Sequence, residues 1–263
     1  MKRAPAPAKL NLALVVGPLR DDGNHEVTTV YQRVDLADRI AIEEGPLDVR
    51  GFRDDTLVRR ALESLAAAAG VEPRWRARIT KRIPVASGLG GGSSDAATAL
   101  RLAAETLAEP PALEPLARTL GADVPFFLRP GPQLGEGDGS ELSPLELPQD
   151  FWVVLALPLG ARKESTAAVY AGFDGGEGYD ERRTRLLETL AAVRRPRDLA
   201  ALPPNDLASS PLAAELLRLG AFRADVSGAG PVVYGLFHHR PAAEAARKEL
   251  RAQTWLTVPV WYG

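Results

Sequence analysis

Short stretches of the chain alternate strictly between apolar and polar residues, the pattern of β-strands that bury one face. In residues 74–83, the residues Trp75, Ala77, Ile79 and Lys81 share one face, and arginines and a threonine occupy the other. A half-polar strand of this kind is typical of an antiparallel sheet with one solvated face. The alternation therefore predicts an antiparallel strand here.

The first predicted strand, residues 9–16, carries two polar residues of a different character. Its alternation places Leu10, Leu12 and Leu14 on the buried face and Lys9 with Asn11 on the opposite face. A lysine on a strand is usually exposed to solvent. Taken alone, the pair predicts only a solvated strand surface.

Periods of three to four residues predict helices between the strands. The predicted helices are 56–69, 94–108 and 113–120, several between 165 and 219, and 242–252. The predicted strands are 9–16, 27–36, 39–43, 47–51, 74–83 and 152–157, a pair around Val226 and 232–237, and 256–261. Residues 130–150 are rich in Gly, Pro, Ser and acidic residues and predict an exposed connection that could form a hairpin.

This order of elements predicts an α+β chain with two domains, residues 1–150 and 151–263. The length of 263 residues exceeds the usual size of one domain, which favours two domains around one cleft. The second half has the strand–helix–strand–strand–helix–strand order of a ferredoxin-like domain.

Composition narrows the class of protein without identifying its chemistry. The net charge is −2 and charges of both signs are spread along the chain. The sequence therefore shows no basic cluster of the kind that binds nucleic acid or a membrane surface. The absence of cysteine excludes disulfides and thiolate metal sites. The apolar run after Met1 is broken by Lys9 and Asn11, so we expect it to form the first strand and not an export signal. We expect a cytoplasmic enzyme of undetermined oligomeric state.

The most informative segment is the glycine-rich stretch PVASGLGGGSSDAA at residues 84–97. Glycines let backbone N–H groups converge on an anion, and the N-terminus of the following helix favours negative charge. We expect Ser93, Ser94 and Asp95 to cap that helix. The loop lacks the lysine of a Walker A motif and the third glycine of a dinucleotide fingerprint. A glycine-rich turn before an ordinary helix remains the alternative, but the glycine density favours phosphate binding.

The stretch from Pro84 resembles the ATP loop of the GHMP kinases, the superfamily of galactokinase, homoserine kinase, mevalonate kinase and phosphomevalonate kinase. PAKLN at residues 7–11 and DGNH at 22–25 resemble its branch that phosphorylates 4-diphosphocytidyl-2-C-methyl-D-erythritol in the non-mevalonate isoprenoid pathway. GADVPFF at 121–127 and DVSGAGP at 225–231 resemble two further family motifs. The matches occur in the family's order across most of the chain.

The resemblance implies a fold and a reaction. It implies an N-terminal domain like the second domain of ribosomal protein S5, a ferredoxin-like C-terminal domain and a cleft between them. It implies direct transfer of the γ-phosphoryl group of ATP to an alcohol, with Asp123 as general base and Lys9 as its electrostatic partner. Without the resemblance, Asp123 is more readily interpreted as a helix cap than as a catalytic acid or base.

The resemblance also implies binding residues. ATP would be bound by Pro84, Gly88, Leu89, Gly90, Gly91, Gly92, Ser93, Ser94 and Gly228. The cytidine substrate would be bound by Asn11, His25, Tyr31, Thr166 and Tyr170. Mg²⁺ would arrive with the nucleotide, and the sequence marks no metal ligands.

Two departures from the family pattern leave alternatives open. Asn24 occupies a position where relatives carry an aromatic residue that stacks on cytosine, and Tyr31 is the expected substitute. Thr56 occupies a position where relatives tend to carry an asparagine near the adenine. A kinase of another small alcohol, such as homoserine or mevalonate, therefore remains an alternative. A non-catalytic nucleotide-binding regulator is a further alternative, but the presence of both Lys9 and Asp123 argues against it.

Overall fold

The computed structural model describes residues 1–55, 57–161 and 166–261; in the helix that follows the second gap, the side chains of residues 166 and 167 are not described. The strands are β1 (Lys2–Leu19), β2 (His25–Glu44), β3 (Asp48–Arg50), β4 (Trp75–Thr80), β5 (Gln133–Glu136), β6 (Glu141–Pro144), β7 (Trp152–Pro158), β8 (Arg223–Val226), β9 (Val233–Phe237) and β10 (Ala252–Thr257). The helices are α1 (Leu57–Ala69), α2 (Gly91–Ala104), α3 (Leu113–Leu120), α4 (Thr166–Ala171), α5 (Tyr179–Ala192), α6 (Pro211–Arg218) and α7 (Arg240–Glu249), with 3-10 turns at Pro125–Leu128 and Pro196–Ala201. None of the helices within the described ranges is long and apolar enough to cross a membrane.

The first sheet has the strand order β3-β4-β2-β5-β6, and β1 pairs with the long strand β2. The apolar face of β4 packs against α1 and α2, as its alternation predicts, and Trp75 is fully buried there. β4 is antiparallel to β2 but parallel to β3, so the antiparallel prediction is confirmed on one side only.

The second sheet has the order β10-β7-β9-β8 with antiparallel neighbours. This is the arrangement of a ferredoxin-like sheet, which confirms the fold predicted for the second half. The last strand lies at residues 252–257, so the predicted strand at 256–261 and the helix end at 252 were wrong. The boundary between the helix and the strand falls at Arg251 and Ala252, where no glycine or proline marks it in the sequence.

The prediction that all three leucines of the first strand share one face was also wrong. Leu10 and Leu12 pack in the core between the two sheets, whereas Leu14 packs with Val16 and Val27 on the other side. The cause is a β-bulge between Asn11 and Ala13, because one extra residue reverses the faces beyond it. Both faces of β1 are buried, so Lys9 and Asn11 are not solvated.

The connection at residues 130–150 forms the hairpin β5–β6, but it is not an exposed linker. β5 pairs with β2, and Gln133 is buried in the sheet. The two strands predicted at 27–36 and 39–43 are likewise one continuous strand, β2. Gln133, and Asp38 at the break between the two predicted strands, are polar but buried, and Asp138 lines the cavity described below, so polarity misled the prediction.

Candidate functional site

A cavity of about 990 Å³ opens between the glycine loop, β1 and β2, and the segment after β7. Of the residues predicted for the site, its lining includes Lys9, Asn11, His25, Tyr31, Pro84, Gly88, Gly90, Gly91, Gly92, Ser93, Asp123, Tyr170 and Gly228. Leu89 and Ser94 are buried behind the lining. The side chain of Thr166 is not described, and Thr56 lies outside the described residues.

Lys9, Asn11, Tyr31 and Asp123 form a compact hydrogen-bonded cluster at one end of the cavity. Lys9 Nζ lies 2.7 Å from Asn11 Oδ1 and 3.4 Å from Asp123 Oδ2. The hydroxyl group of Tyr31 donates to Asp123 Oδ1 at 3.1 Å. The Lys9 side chain is 5% exposed, whereas that of Asp123 is 33% exposed. The carboxylate therefore has two fixed partners and still faces the cavity.

Tyr31 does not present an open ring face for stacking. It is 3% exposed, its ring centre lies 4.9 Å from that of Phe126, and Lys9 Nζ lies 5.4 Å from the Tyr31 ring centre. Burial, and the neighbouring Asp123 carboxylate, raise the pKa of Tyr31, so the hydroxyl keeps its proton. This geometry conflicts with the expected stacking role and favours a hydroxyl that orients Asp123.

The glycine loop lies at the other end of the cavity and contacts the C-terminal half of the chain. A Cβ atom on Gly88 would lie 2.3 Å from the carbonyl oxygen of Ser227, and the φ of Gly88 is +84°. Val232 N donates to the carbonyl oxygen of Ser87 at 3.1 Å. Gly228, at φ +57°, faces Asn11 and Lys9. The two glycine motifs therefore form one continuous surface beside the cluster of Lys9 and Asp123.

The helix that follows the loop is not capped as predicted. α2 begins at Gly91 with Gly90 as its N-cap, and no side chain caps it. The predicted caps Ser93, Ser94 and Asp95 all lie inside its first turns. Ser94 is fully buried and its Oγ has no hydrogen-bond partner. The N–H groups of the first turn therefore remain available to an anion.

Sequence reasoning missed a buried ionic network beneath the loop. Lys81 Nζ bonds Asp38 and also Asp95 Oδ2, the latter at 2.9 Å. Asp38 Oδ1 also accepts the backbone N–H groups of residues 82 and 83. Lys81 Nζ would lie 3.3 Å from a Cβ atom on Gly91. The signal was available, because alternation had placed Lys81 on the buried face, where a lysine needs carboxylate partners.

An aromatic group lines the region where α4 approaches β1 and β2. The ring of His25 lies 5.9 Å from that of Tyr170 and 5.8 Å from that of Phe173. Burial raises the pKa of Tyr170. His25 Nδ1 lies 2.9 Å from the carbonyl oxygen of Gly17, to which it can only donate. Phe173 was not predicted, since nothing in the sequence separates it from a core phenylalanine.

Among the described residues, no group of three or more histidine or acidic side chains is placed to hold a metal ion. A divalent ion would therefore take most of its ligands from a bound phosphate and water.

Comparisons with known proteins identify the family to which the chain is similar. The model of the GHMP kinases N-terminal domain matches residues 56–131, and that of the GHMP kinases C-terminal domain matches residues 203–254. A protein from Anaeromyxobacter sp. (strain Fw109-5), named 4-diphosphocytidyl-2-C-methyl-D-erythritol kinase, is 40% identical over 93% of this chain and 85% of its own length. A protein of the same name from Geobacter sulfurreducens is 37% identical over 97% and 96%. A crystal structure of 4-(cytidine 5'-diphospho)-2C-methyl-D-erythritol kinase matches with a TM-score of 0.79 at 33% identity, over 98% of this chain and 99% of that one.

Proposed function

The chain belongs to the GHMP kinase family and is a small-molecule kinase; from this premise we propose that it transfers the γ-phosphoryl group of ATP to the 2-hydroxyl group of 4-diphosphocytidyl-2-C-methyl-D-erythritol, in the non-mevalonate isoprenoid pathway. The observation that carries the proposal is the pairing of Lys9 with Asp123 in the same cavity as the glycine loop. The names of the relatives supply the acceptor.

Asp123 acts as the general base. Its carboxylate removes the proton of the acceptor hydroxyl while that oxygen attacks the γ-phosphorus and the bond to the β-phosphate oxygen breaks. Lys9 balances the negative charge of the carboxylate and of the transferred group. Tyr31 and Asn11 fix the two charged partners through the hydrogen bonds described above. Their positions need little rearrangement before reaction, which lowers the barrier.

The nucleotide is bound by the glycine loop, residues 84 and 88–94, and by the turn at Gly228. Backbone N–H groups at the start of α2 contact the phosphates, and the ammonium group of Lys81 lies beside the same turn. The partnerless Ser94 Oγ gives this turn one further polar group. Bound Mg²⁺ neutralises phosphate charge and is carried mainly by the nucleotide itself.

The cytosine base occupies the aromatic region beside His25. Because Nδ1 of His25 donates to Gly17, Nε2 is left as an acceptor for the exocyclic amino group of cytosine. Tyr170 supplies a ring for stacking, and Phe173 contributes to the same wall. Thr166, which begins the helix that carries Tyr170, completes the substrate-binding set.

The domain boundary near residue 150 forms part of the proposal. The first sheet ends with β6 at residue 144 and the second begins with β7 at residue 152, which supports domains of residues 1–150 and 151–263. The proposal includes a cytoplasmic location.

The test is ADP release with Mg-ATP and three acceptors: the cytidine substrate, mevalonate and homoserine. We expect turnover with the cytidine substrate alone. Asp123→Asn should lower kcat by about 10²- to 10⁴-fold, because it removes the base and keeps the shape. ATP affinity, measured by titration calorimetry, should stay unchanged. Full turnover by Asp123→Asn would contradict the mechanism.

A second candidate is a GHMP kinase of a different small alcohol. The observation that favours it is Asn24, which is exposed at the cavity where relatives present an aromatic ring. Turnover of mevalonate or homoserine in the same assay would support this candidate. ATP binding without turnover of any of the three acceptors would point to an alcohol outside this panel.

A further inference from the structure

Arg33 is a buried cation close to the proposed base. It lies on β2 and is 1% exposed. Its guanidinium carbon lies 4.6 Å from the ring centre of Phe126 and 5.9 Å from that of Phe127. Within the described ranges no carboxylate forms an ion pair with it, and its Nε has no hydrogen-bond partner. Burial lowers the pKa of Arg33 to about 10.

Burying a guanidinium group without a carboxylate costs several kcal/mol, and an apolar side chain would fill the space more cheaply. The cost is offset by carbonyl acceptors and aromatic faces. The presence of an arginine at position 33 is therefore explained by the groups that its guanidinium N–H groups hold in place.

Arg33 holds two carbonyl groups from distant parts of the chain. Its Nη2 donates to the carbonyl oxygen of Phe126 at 2.5 Å, and its Nη1 donates to that of Trp261 at 3.4 Å. Phe126 follows Asp123 by three residues, and its ring packs on Tyr31, whose hydroxyl group bonds Asp123. The segment 123–126 is thus fixed at its start by Lys9 and Tyr31 and at its end by Arg33.

Residues 258–261, which we call the C-terminal strap, run antiparallel to β2 beside Arg33. Asp35 N donates to the carbonyl oxygen of Val258 at 3.0 Å, and Val260 N donates to that of Arg33 at 3.1 Å. The carbonyl oxygen of Trp261 also accepts from Gly131 N at 2.7 Å. The strap therefore continues from β10 of the second sheet along β2 to Gly131, and Arg33 connects it to the carbonyl group of Phe126.

We propose that Arg33 and the C-terminal strap are positioning elements that set the distance of Asp123 from the acceptor hydroxyl. The inference rests on the proposed function of Asp123 as base. Loss of either element leaves the nucleotide loop untouched but lets segment 123–126 shift, and a shift of about 1 Å in a reacting group can cost about a hundredfold in rate.

The test compares Arg33→Met, Arg33→Lys and a chain that ends at Val258. We expect kcat to fall by about tenfold to a hundredfold in Arg33→Met and in the shortened chain, while KM and Kd for ATP change by less than about twofold. Arg33→Lys, which can still donate to the Phe126 carbonyl group, should retain an intermediate rate. In the combined variant the two effects should not add, because both act through one connection.

Arg129→Met is the matched control. Arg129 directly follows the 3-10 turn that contains Phe126, but its Nη2 bonds the Glu114 carboxylate at 2.6 Å and its side chain is 38% exposed. Loss of such an exposed pair changes little, so kcat should stay near the wild-type value. Thermal unfolding of each variant separates loss of fold from loss of position. Wild-type kcat in Arg33→Met, or a fall in kcat matched by a fall in ATP affinity, would overturn the proposal.

A crystal structure of Arg33→Met decides the geometry independently of turnover. We expect the carboxylate of Asp123 to leave hydrogen-bond distance of the Tyr31 hydroxyl group, and an unmoved carboxylate would refute the positioning role. If the wild type turned over none of the acceptors, the proposed function would fail while this structural comparison still tested Arg33.

Discussion

The two ends of the cavity are built in opposite ways. At the base end, side chains of β1, β2 and the segment after α3 bond one another, and Asp123 is held by Lys9 and by Tyr31. At the nucleotide end, backbone atoms form the surface, and its shape depends on glycines such as Gly88, where a side chain would clash with neighbouring backbone. A change at the base end should therefore appear in kcat, and a change at the nucleotide end in ATP affinity.

The largest effect on folding stability should follow from adding one methyl group at the nucleotide end. Gly88→Ala places a Cβ atom 2.3 Å from the Ser227 carbonyl oxygen at a φ of +84°, so the loop must move. We expect a loss of about 3 kcal/mol in the free energy of unfolding. ATP affinity should fall about a hundredfold, which corresponds to about 2.7 kcal/mol.

Gly70→Ala is the control for this substitution. Gly70 has a φ of +65°, but no atom lies within 4 Å of its added Cβ. It should lose only about 1 kcal/mol from backbone strain, with unchanged ATP affinity. Equal effects at both glycines would show that strain alone, and not contact with the C-terminal half, explains Gly88.

A smaller effect should follow at the base end. Tyr31→Phe removes the hydroxyl group that donates to Asp123 and leaves the ring packed on Phe126. A hydrogen bond to a charged group contributes about 1.5–3 kcal/mol, and we expect kcat to fall about tenfold with unchanged ATP affinity. A raised KM for the acceptor with normal kcat would instead restore the stacking role of Tyr31.

The network of Lys81 beneath the loop predicts a pH dependence of stability. Burial raises the pKa of Asp95 from 3.8 to about 7, with Lys81 lowering it and Asp38 raising it. Between about pH 4 and about pH 7, the Asp95 carboxyl group is protonated in the folded chain and ionised in the unfolded chain. This group therefore makes stability fall as pH rises from about 4 to about 7, by at most about 1.4 kcal/mol per pH unit.

Asp95→Asn removes that titration. Urea unfolding of the two proteins at several pH values should show the wild type losing stability relative to the variant across this window, and no further divergence above it. A constant difference would mean that Asp95 is ionised throughout.

The two ends also differ in how far sequence alone could predict them. The glycine loop is recognisable because phosphate binding requires several glycines close together, and these glycines are adjacent in the sequence. The base end joins residues 9, 31 and 123, and no local pattern reveals that they meet; family resemblance identified Lys9 and Asp123, but not the bond from Tyr31 to Asp123. Arg33 escaped notice because an arginine on a strand is ordinarily exposed.

For the fold, periodicity and chain length predicted two domains and most helices, and the family resemblance supplied the GHMP kinase architecture. It failed where one residue changes the register or where polar residues are buried. The bulge between Asn11 and Ala13 has no sequence signal, so Leu14 was placed on the wrong face. Polar and glycine residues at 133–140 predict exposure, yet β5 pairs with β2 and packs Gly135 against Tyr31.

The length of β2 has a consequence for the acceptor. His25 and Tyr31 lie on this one strand, six residues apart. At about 3.3 Å per residue, the strand spans about 20 Å between them. The separation along β2 sets a length requirement. Only a long molecule can contact His25 while its hydroxyl group reaches Asp123. Under the proposed function, we therefore expect short alcohols such as homoserine and mevalonate to be poor acceptors because of their length alone.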